Sequence, residues 1–345
     1  MLGQMKRIDV LPDDVLLEIF DFYIIIMKPP FEAGWTRNWR KSEIDPWQLL
    51  VHVCRRWRGL IFESPRRLNL QLLCTPEAPT RDKLDIWPAL PLVVEGDMDT
   101  TSGTDNIIAA LEQSNRVRRV LLVNLEPWQL EEVLAAMQVP LPELRYLQLF
   151  SFVGTMPVIP DSFLGGSAPR LQYFNLFGIP FPGLPKLLLS ATHLVQLHLS
   201  SIPDSVYISP EAMVALLSVM SSLKELSIQF RSPQSRPDWE TRSLLPLERS
   251  ILPALRNFRF KGVIKYLEEL VTHIDTPQLK HMYVIFFNRI DFDCPRLAQF
   301  INRTPKLGKH DEAHVGFDDK GVRFRFATYM FKFIQCREQI GRAHV

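Results

Sequence analysis

The chain has 345 residues, 46% of them hydrophobic and 23% charged, enough to bury a large core and long enough for one to three domains. Its 40 basic and 38 acidic residues leave a formal net charge of +2 with the signs mixed throughout, so composition gives no footprint for nucleic acid. The apolar run Tyr23 to Met27 is far short of the roughly 20 residues a membrane span needs, and no signal peptide is read before it. The expectation is a soluble protein of the cytoplasm or nucleus, without a membrane partner.

The first predicted element is a helix starting at Leu11 or Pro12. Proline suits a first helical position because its missing N–H would be unpaired there anyway, and Asp13, Asp14 and Glu18 complement the positive end of the helix dipole. Val15, Leu16, Ile19 and Phe20 then draw an apolar stripe along it. Leu50, Val53, Cys54, Trp57 and Ile61 form a second helical stripe, with Arg55, Arg56 and Arg58 read as a solvated face. The two stripes can pack together as a small helical module. Between them, residues 27–45, with Lys28-Pro29-Pro30, Gly34, Trp35 and Trp39, read as an inserted surface loop.

The string Leu11-Pro12, the apolar positions at Val15, Leu16, Ile19 and Phe20, and the ending Val53-Cys54-Arg55-x-Trp57 resemble an F-box. The inserted loop is longer than the turn that family places between its first two helices. The resemblance implies that residues 1–64 dock on the Skp-family adaptor of a cullin-RING ubiquitin ligase. It implies further that Leu11, Pro12, Val15, Leu16, Ile19, Phe20, Leu50, Val53 and Trp57 lie in or beside that interface. A few large apolar anchors can carry such an affinity, since full burial of each contributes roughly 1.5–3 kcal/mol.

Residues 65–97 read as a connector whose strings Leu68-Asn69-Leu70-Gln71-Leu72 and Leu90-Pro91-Leu92-Val93-Val94 are entry strands to the larger, carboxyl-terminal part of the chain, making a rigid junction. From there to residue 339 a theme recurs, in which a turn residue precedes Leu-x-x-Leu-x-Leu or a relative of it. The first positions are Val117, Leu144, Leu171, Leu194, Leu223, Leu255 and Leu279, at steps of 27, 27, 23, 29, 32 and 24 residues. These steps are close to, but looser than, the leucine-rich-repeat period of about 20–29 residues. Helices are predicted over 105–113, 128–137, 210–220 and 264–274, the third opened by Ser209 as N-cap and Pro210 at the first turn. The expected fold is α/β: an all-helical F-box followed by an irregular leucine-rich-repeat solenoid, or horseshoe. A Rossmann-like sandwich also alternates strand and helix, but these strands are short and no glycine-rich phosphate loop follows the first. The whole resembles the F-box/leucine-rich-repeat families of fungi.

Strand side chains alternate between faces, so the residues between the inward leucines define a second, concave face. Its rungs carry Tyr146 beside Tyr173 and Phe150 beside Phe177, expected as an exposed apolar patch, with His198, Arg259 and Tyr283 further along. These seven are the candidate target-binding residues. The polar, proline-broken loop Arg231 to Trp239 sits at the longest step and reads as an insertion or a second recognition element.

Motifs for chemistry are few. The four cysteines at 54, 74, 294 and 336 make no metal-like spacing and fit unpaired thiols in a reducing compartment. His310 to His314 is a poor metal pair without the His-Glu-x-x-His pattern, and Gly165-Gly166-Ser167 reads as a turn. No nucleophile elbow or Walker loop occurs, so neither enzyme activity nor a cofactor is expected. The last six residues, Ile340 to Val345, look like a translated sequencing adapter and are read as an artefactual tail. The function the resemblance implies is substrate recognition for a ubiquitin ligase of the Skp/cullin/F-box type, with an unidentified target protein. A non-degradative F-box/repeat scaffold is the alternative.

Overall fold

The computed structural model describes residues 11–27, 45–99, 103–153, 156–181, 184–203, 205–232, 249–287, 294–307, 313–318 and 321–326. Most of the 27–45 loop, the segment from Pro233 to Trp239, His310 to Glu312 and the 340–345 tail lie outside the described residues.

Three helices come first: α1 (Asp13–Met27), α2 (Pro46–Val51) and α3 (Arg55–Glu63). Leu16 N–H donates to the Pro12 carbonyl at 3.1 Å, so the proline sits just outside α1 and the acidic pair fills its first turn. Pro46 opens α2, and the Gln48 side chain accepts from the Asp45 N–H at 3.2 Å, half of a capping box.

Strand and helix then alternate. In order come β1 (Leu72–Cys74), α4 (Thr80–Ile86), β2 (Leu92–Asp97), α5 (Thr104–Leu111), β3 (Val117–Val123), α6 (Pro127–Ala136), β4 (Tyr146–Phe150) and β5 (Tyr173–Phe177). Next are α7 (Leu184–Ser190), β6 (Gln196–Ile202), α8 (Pro210–Leu217), β7 (Glu225–Phe230), β8 (Ser250–Ile251), β9 (Asn257–Gly262) and α9 (Ile264–Thr272). The last are β10 (Ile274–Asp275), β11 (His281–Phe286), α10 (Pro295–Arg303), β12 (Ala313–Asp318) and β13 (Gly321–Phe326). All seven repeated motifs run into strands, and the four predicted helices form; α4, α7 and α10 were not anticipated. Ser209 caps α8 as expected, its Oγ accepting from Ala212 N–H at 3.1 Å.

Among the described residues the sheet has eleven strands in the order β1-β2-β3-β4-β5-β6-β7-β9-β11-β13-β12. The first nine in that order are parallel, each pairing with the one before it in the chain apart from the separate β8–β10 pair, and β13 and β12 close the sheet antiparallel. The order contains no reversal of the kind that marks a doubly wound sheet.

The repeat explains this register. At each step the N–H of the first leucine donates to a carbonyl three residues back: Leu144 to Leu141, Leu171 to Ala168, Leu194 to Ala191, Leu223 to Met220, Leu255 to Leu252 and Leu279 to Thr276. Proline at the second turn position in four of these (Pro142, Pro169, Pro253, Pro277) presets the backbone for the bend. The three apolar positions of each motif are then buried. Leu147, Leu149, Phe174, Leu197, Leu199 and Ile228 are 0–1% exposed along with Leu176 and Leu226, and they join the inner faces of the helices in one cluster that runs from Leu16 to Leu307. No helix among the described residues is long and apolar enough to cross a membrane.

Two candidate docking surfaces

At the amino-terminal end the structure divides the expected interface residues into two sets. Leu16 and Phe20 are 0% exposed, and Leu17, Ile24, Leu50 and Val51 are also buried, so these hold the three helices together. Trp57 is half-buried with its ring 4.7 Å from Phe20, an internal contact too. Leu11 is half-buried, and its carbonyl accepts from Arg56 Nη2 at 2.6 Å. By contrast Pro12, Val15, Ile19 and Val53 face solvent.

The exposed set is larger than the sequence suggested. Val15, Ile19, Phe22 and Ile26 fall at i, i+4, i+7 and i+11 on α1, and Ile25, Met27 and Leu49 are exposed as well. The helix therefore has an apolar stripe on its outer side in addition to the one it buries. The reading of Arg55, Arg56 and Arg58 as a purely solvated face needs correction: Arg56 pairs with Asp13, and Arg58 Nε donates to the Val51 carbonyl at 3.1 Å. Two arginines of α3 thus pin the start of α1 and the end of α2.

The module is fastened to the sheet. Trp47, 0% exposed, donates Nε1–H to the Gln71 carbonyl at 2.9 Å and packs edge-on against Trp87 at 5.0 Å. The Asp45 carboxylate accepts from the Leu73 N–H at 3.0 Å. These contacts tie the module to the sheet. Of the two strings expected as entry strands, Leu90 to Val94 runs into β2, but Leu68 to Leu72 is a turn as far as Asn69, whose φ is +45°, and β1 begins only at Leu72.

The second surface is the sheet face opposite the helices. Its centre is a row of side chains that crosses seven strands. Glu95 pairs with Arg119 at 3.1 Å, and the Arg119 guanidinium lies 4.4 Å from the Tyr146 ring centre. Tyr146 stacks on Tyr173 at 4.0 Å and 5°, and Tyr173 faces His198 at 5.6 Å. His198 Nε2 is 3.8 Å from Glu225, whose carboxylate also accepts from Asn257 Nδ2 at 3.0 Å. Both tyrosine hydroxyls donate to Gln148 Oε1, at 2.7 and 3.3 Å, and Asn175 Nδ2 donates to the Tyr173 hydroxyl at 2.9 Å.

Electrostatics follow from this packing. Burial holds the Tyr146 hydroxyl far above the ordinary phenol range, reinforced by Tyr173. Burial also pushes His198 below the usual histidine value; Glu225 opposes the shift and Arg259 adds to it. The row is a preorganised aromatic and hydrogen-bonding wall. Reading rung by rung missed it, because His198 pairs in register with Asn175 and only leans toward Tyr173.

The expected exposed aromatic patch is corrected in one particular. Phe150 is 2% exposed, stacked at 5.4 Å and 3° on Phe177. Phe152, 62% exposed and 5.0 Å from Phe177, is the ring presented to solvent instead. It lies past the end of β4, where strand alternation no longer guides the eye. Phe177, Tyr146, Tyr173 and Tyr283 are half-buried, and Arg259 is exposed and paired in register with Tyr283 on β11. Among the described residues no group of three or more His, Cys, Asp or Glu side chains could hold a metal ion. No protein-family model matches the chain, and no curated protein matches it.

Proposed function

We propose that the chain is the substrate-recognition subunit of a Skp/cullin/F-box-type ubiquitin ligase, acting in the cytoplasm or nucleus. The three helices act as an F-box, docking on a Skp-family adaptor through Pro12, Val15, Ile19, Phe22 and Val53. The sheet is the inner wall of a leucine-rich-repeat solenoid, and its open face holds a target protein. Ligation chemistry resides on other subunits, and this chain acts by proximity.

One observation carries the reading: α1 has two apolar stripes, one buried against α2 and α3 and one exposed. A helix needs only the first to join a core, and an apolar face of this extent on the surface is what a partner covers. The sequential order of the parallel strands supports the repeat reading, because stacked strand-turn-helix units pair each strand with the next.

The test is a titration of the purified full chain with a Skp-type adaptor. Saturable binding is expected, and it is lost in an Ile19→Asp, Val53→Asp double variant whose helicity by circular dichroism is unchanged. No binding by the unaltered chain overturns the adaptor reading. If adaptor binding holds while turnover of a captured protein does not depend on these residues, the scaffold reading replaces the ligase.

A further inference from the structure

The charges on the open sheet face are unevenly satisfied. Each carboxylate of its central strands has a partner: Glu95 holds Arg119, Asp97 accepts from Asn124 Nδ2 at 2.8 Å, and Glu225 is shared between Asn257 and His198. Two of the cations do not. Arg259 is exposed and Lys261 half-buried, and among the described residues neither makes an ion pair; Lys261 instead rests its ammonium 5.3 Å from the Phe287 ring. The far end of the same face is apolar, with Phe152 standing over Phe177.

Register connects these ends. Phe177 pairs with Ser200 and Gln229 with Lys261, while between β6 and β7 Leu199 pairs with Ile228 and, past a bulge, Ile202 with Phe230. Ser200 and Ser201 thus lie together opposite Gln229, and a row runs from Phe177 through this bulge and Gln229 to Lys261 across β5, β6, β7 and β9. The row is an aromatic wall at one end, small or uncharged polar side chains in the middle and a cation at the other. Three strand spacings of about 4.8 Å separate its ends by about 14 Å, which an extended chain at about 3.3 Å per residue covers in about four residues.

We propose that this row takes an extended acidic segment of the target, its carboxylates on Arg259 and Lys261 and an apolar side chain, about four residues away, packed on Phe152 and Phe177. The inference rests on the receptor reading and names the class of segment that the receptor takes. Complementarity of charge supplies the selectivity, since a basic segment would meet two unneutralised cations. The stacked Tyr146–Tyr173 pair lies beside the row and adds contact area at low entropic cost, because its rings are already fixed.

The experiment is fluorescence anisotropy with the full chain and fluorescein-labelled peptides that carry one phenylalanine and a run of glutamates, separated by Gly-Ser spacers of graded length. Matched peptides with lysines in place of the glutamates are the control. The expected result is binding of the glutamate series, tightest with a spacer near four residues, and weaker with rising salt. An Arg259→Glu, Lys261→Glu double variant should lose at least about tenfold, and a Phe152→Ala variant, altered at an exposed position, several-fold. Equal binding of both peptide series, no binding of either, or indifference to the charge reversal would overturn the proposal. Tighter binding of a single-stranded oligonucleotide, lost in the same charge-reversed variant, would also overturn it. The same preparations are titrated with the Skp-type adaptor. Adaptor binding without glutamate selectivity rejects this inference alone, whereas glutamate-selective binding without adaptor binding rejects the receptor reading.

Discussion

If the two stripes of α1 have different roles, truncating them should separate stability from affinity. Leu16 and Phe20 have no exposed surface. Leu16→Ala should cost about 2–5 kcal/mol and Phe20→Ala about 3–5, by lost transfer energy and the cavity left behind. Ile19 and Phe22 are 44% and 66% exposed. At roughly 1.5–3 kcal/mol for full burial, the area still open on these two is worth about 1.7–3.3 kcal/mol once a partner covers it, or about 20- to 200-fold in Kd. Their part already in contact with the chain is worth about 2 kcal/mol together, less than half the cost of the inner pair. Urea denaturation and calorimetric titration with the Skp-type adaptor, run on Ile19→Ala/Phe22→Ala and on Leu16→Ala/Phe20→Ala, measure both quantities. An outer double variant that is destabilised as much as the inner one refutes the division, because the stripe is then buried within the chain. Unchanged adaptor affinity in a stable outer variant refutes its use as an interface.

Three other outcomes are expected. Gly178 has φ +73°, and a Cβ there would lie 2.3 Å from the Ser151 carbonyl oxygen, so Gly178→Ala should lower stability in urea by about 1–3 kcal/mol or more; Gly59, inside α3 with nothing within 4 Å, should instead gain roughly 0.5–1 kcal/mol as alanine. For His198, burial sets the folded pKa below the unfolded value of about 6.5, so the unfolded state binds the proton more readily. Its contribution is present above about pH 6.5 and is lost as pH falls through the folded pKa; His198→Gln should flatten the acid-side slope of stability, read by denaturation at a series of pH values. Cys74 is buried, its thiol pushed up to about 11, and should resist iodoacetamide at neutral pH until the chain unfolds, while half-buried Cys54 and Cys294 react before it, as peptide mass spectrometry would reveal.

The repeat was legible because its signal is redundant. Each rung states the same three apolar positions, and a turn with proline in four cases marks where each strand starts, so a miscount at one step does not move the others. The division of α1 was not legible, for a physical reason. Val15, Leu16, Leu17, Ile19, Phe20, Phe22 and the run from Tyr23 to Met27 make most of the helix circumference apolar, and a periodic test needs polar positions to fix the phase. Phe150 misled for a different reason: alternation assigns it outward, but Phe177 on the next strand stacks on it and Phe152 in turn covers Phe177. The cross-strand row through His198 depends on rotamers that lean between register lines, which spacing cannot encode.

The strand order has a consequence for how the chain reaches and keeps its shape. In the parallel part of the main sheet every pairing joins neighbouring segments, at separations of 20 to 32 residues, so no pairing waits for distant ends to meet. Closing each such loop costs nearly the same entropy, since the penalty grows only with the logarithm of length. Assembly can therefore start at any well-packed pair and spread by accretion, and loss of order should travel inward from an end instead of collapsing the whole at once. The same locality makes rungs separable in evolution: lengthening one connection, as at the 32-residue step from Leu223 to Leu255, alters one loop and leaves the pairing of β7 with β9 intact. A surface built this way can change its contact residues one rung at a time without renegotiating its core.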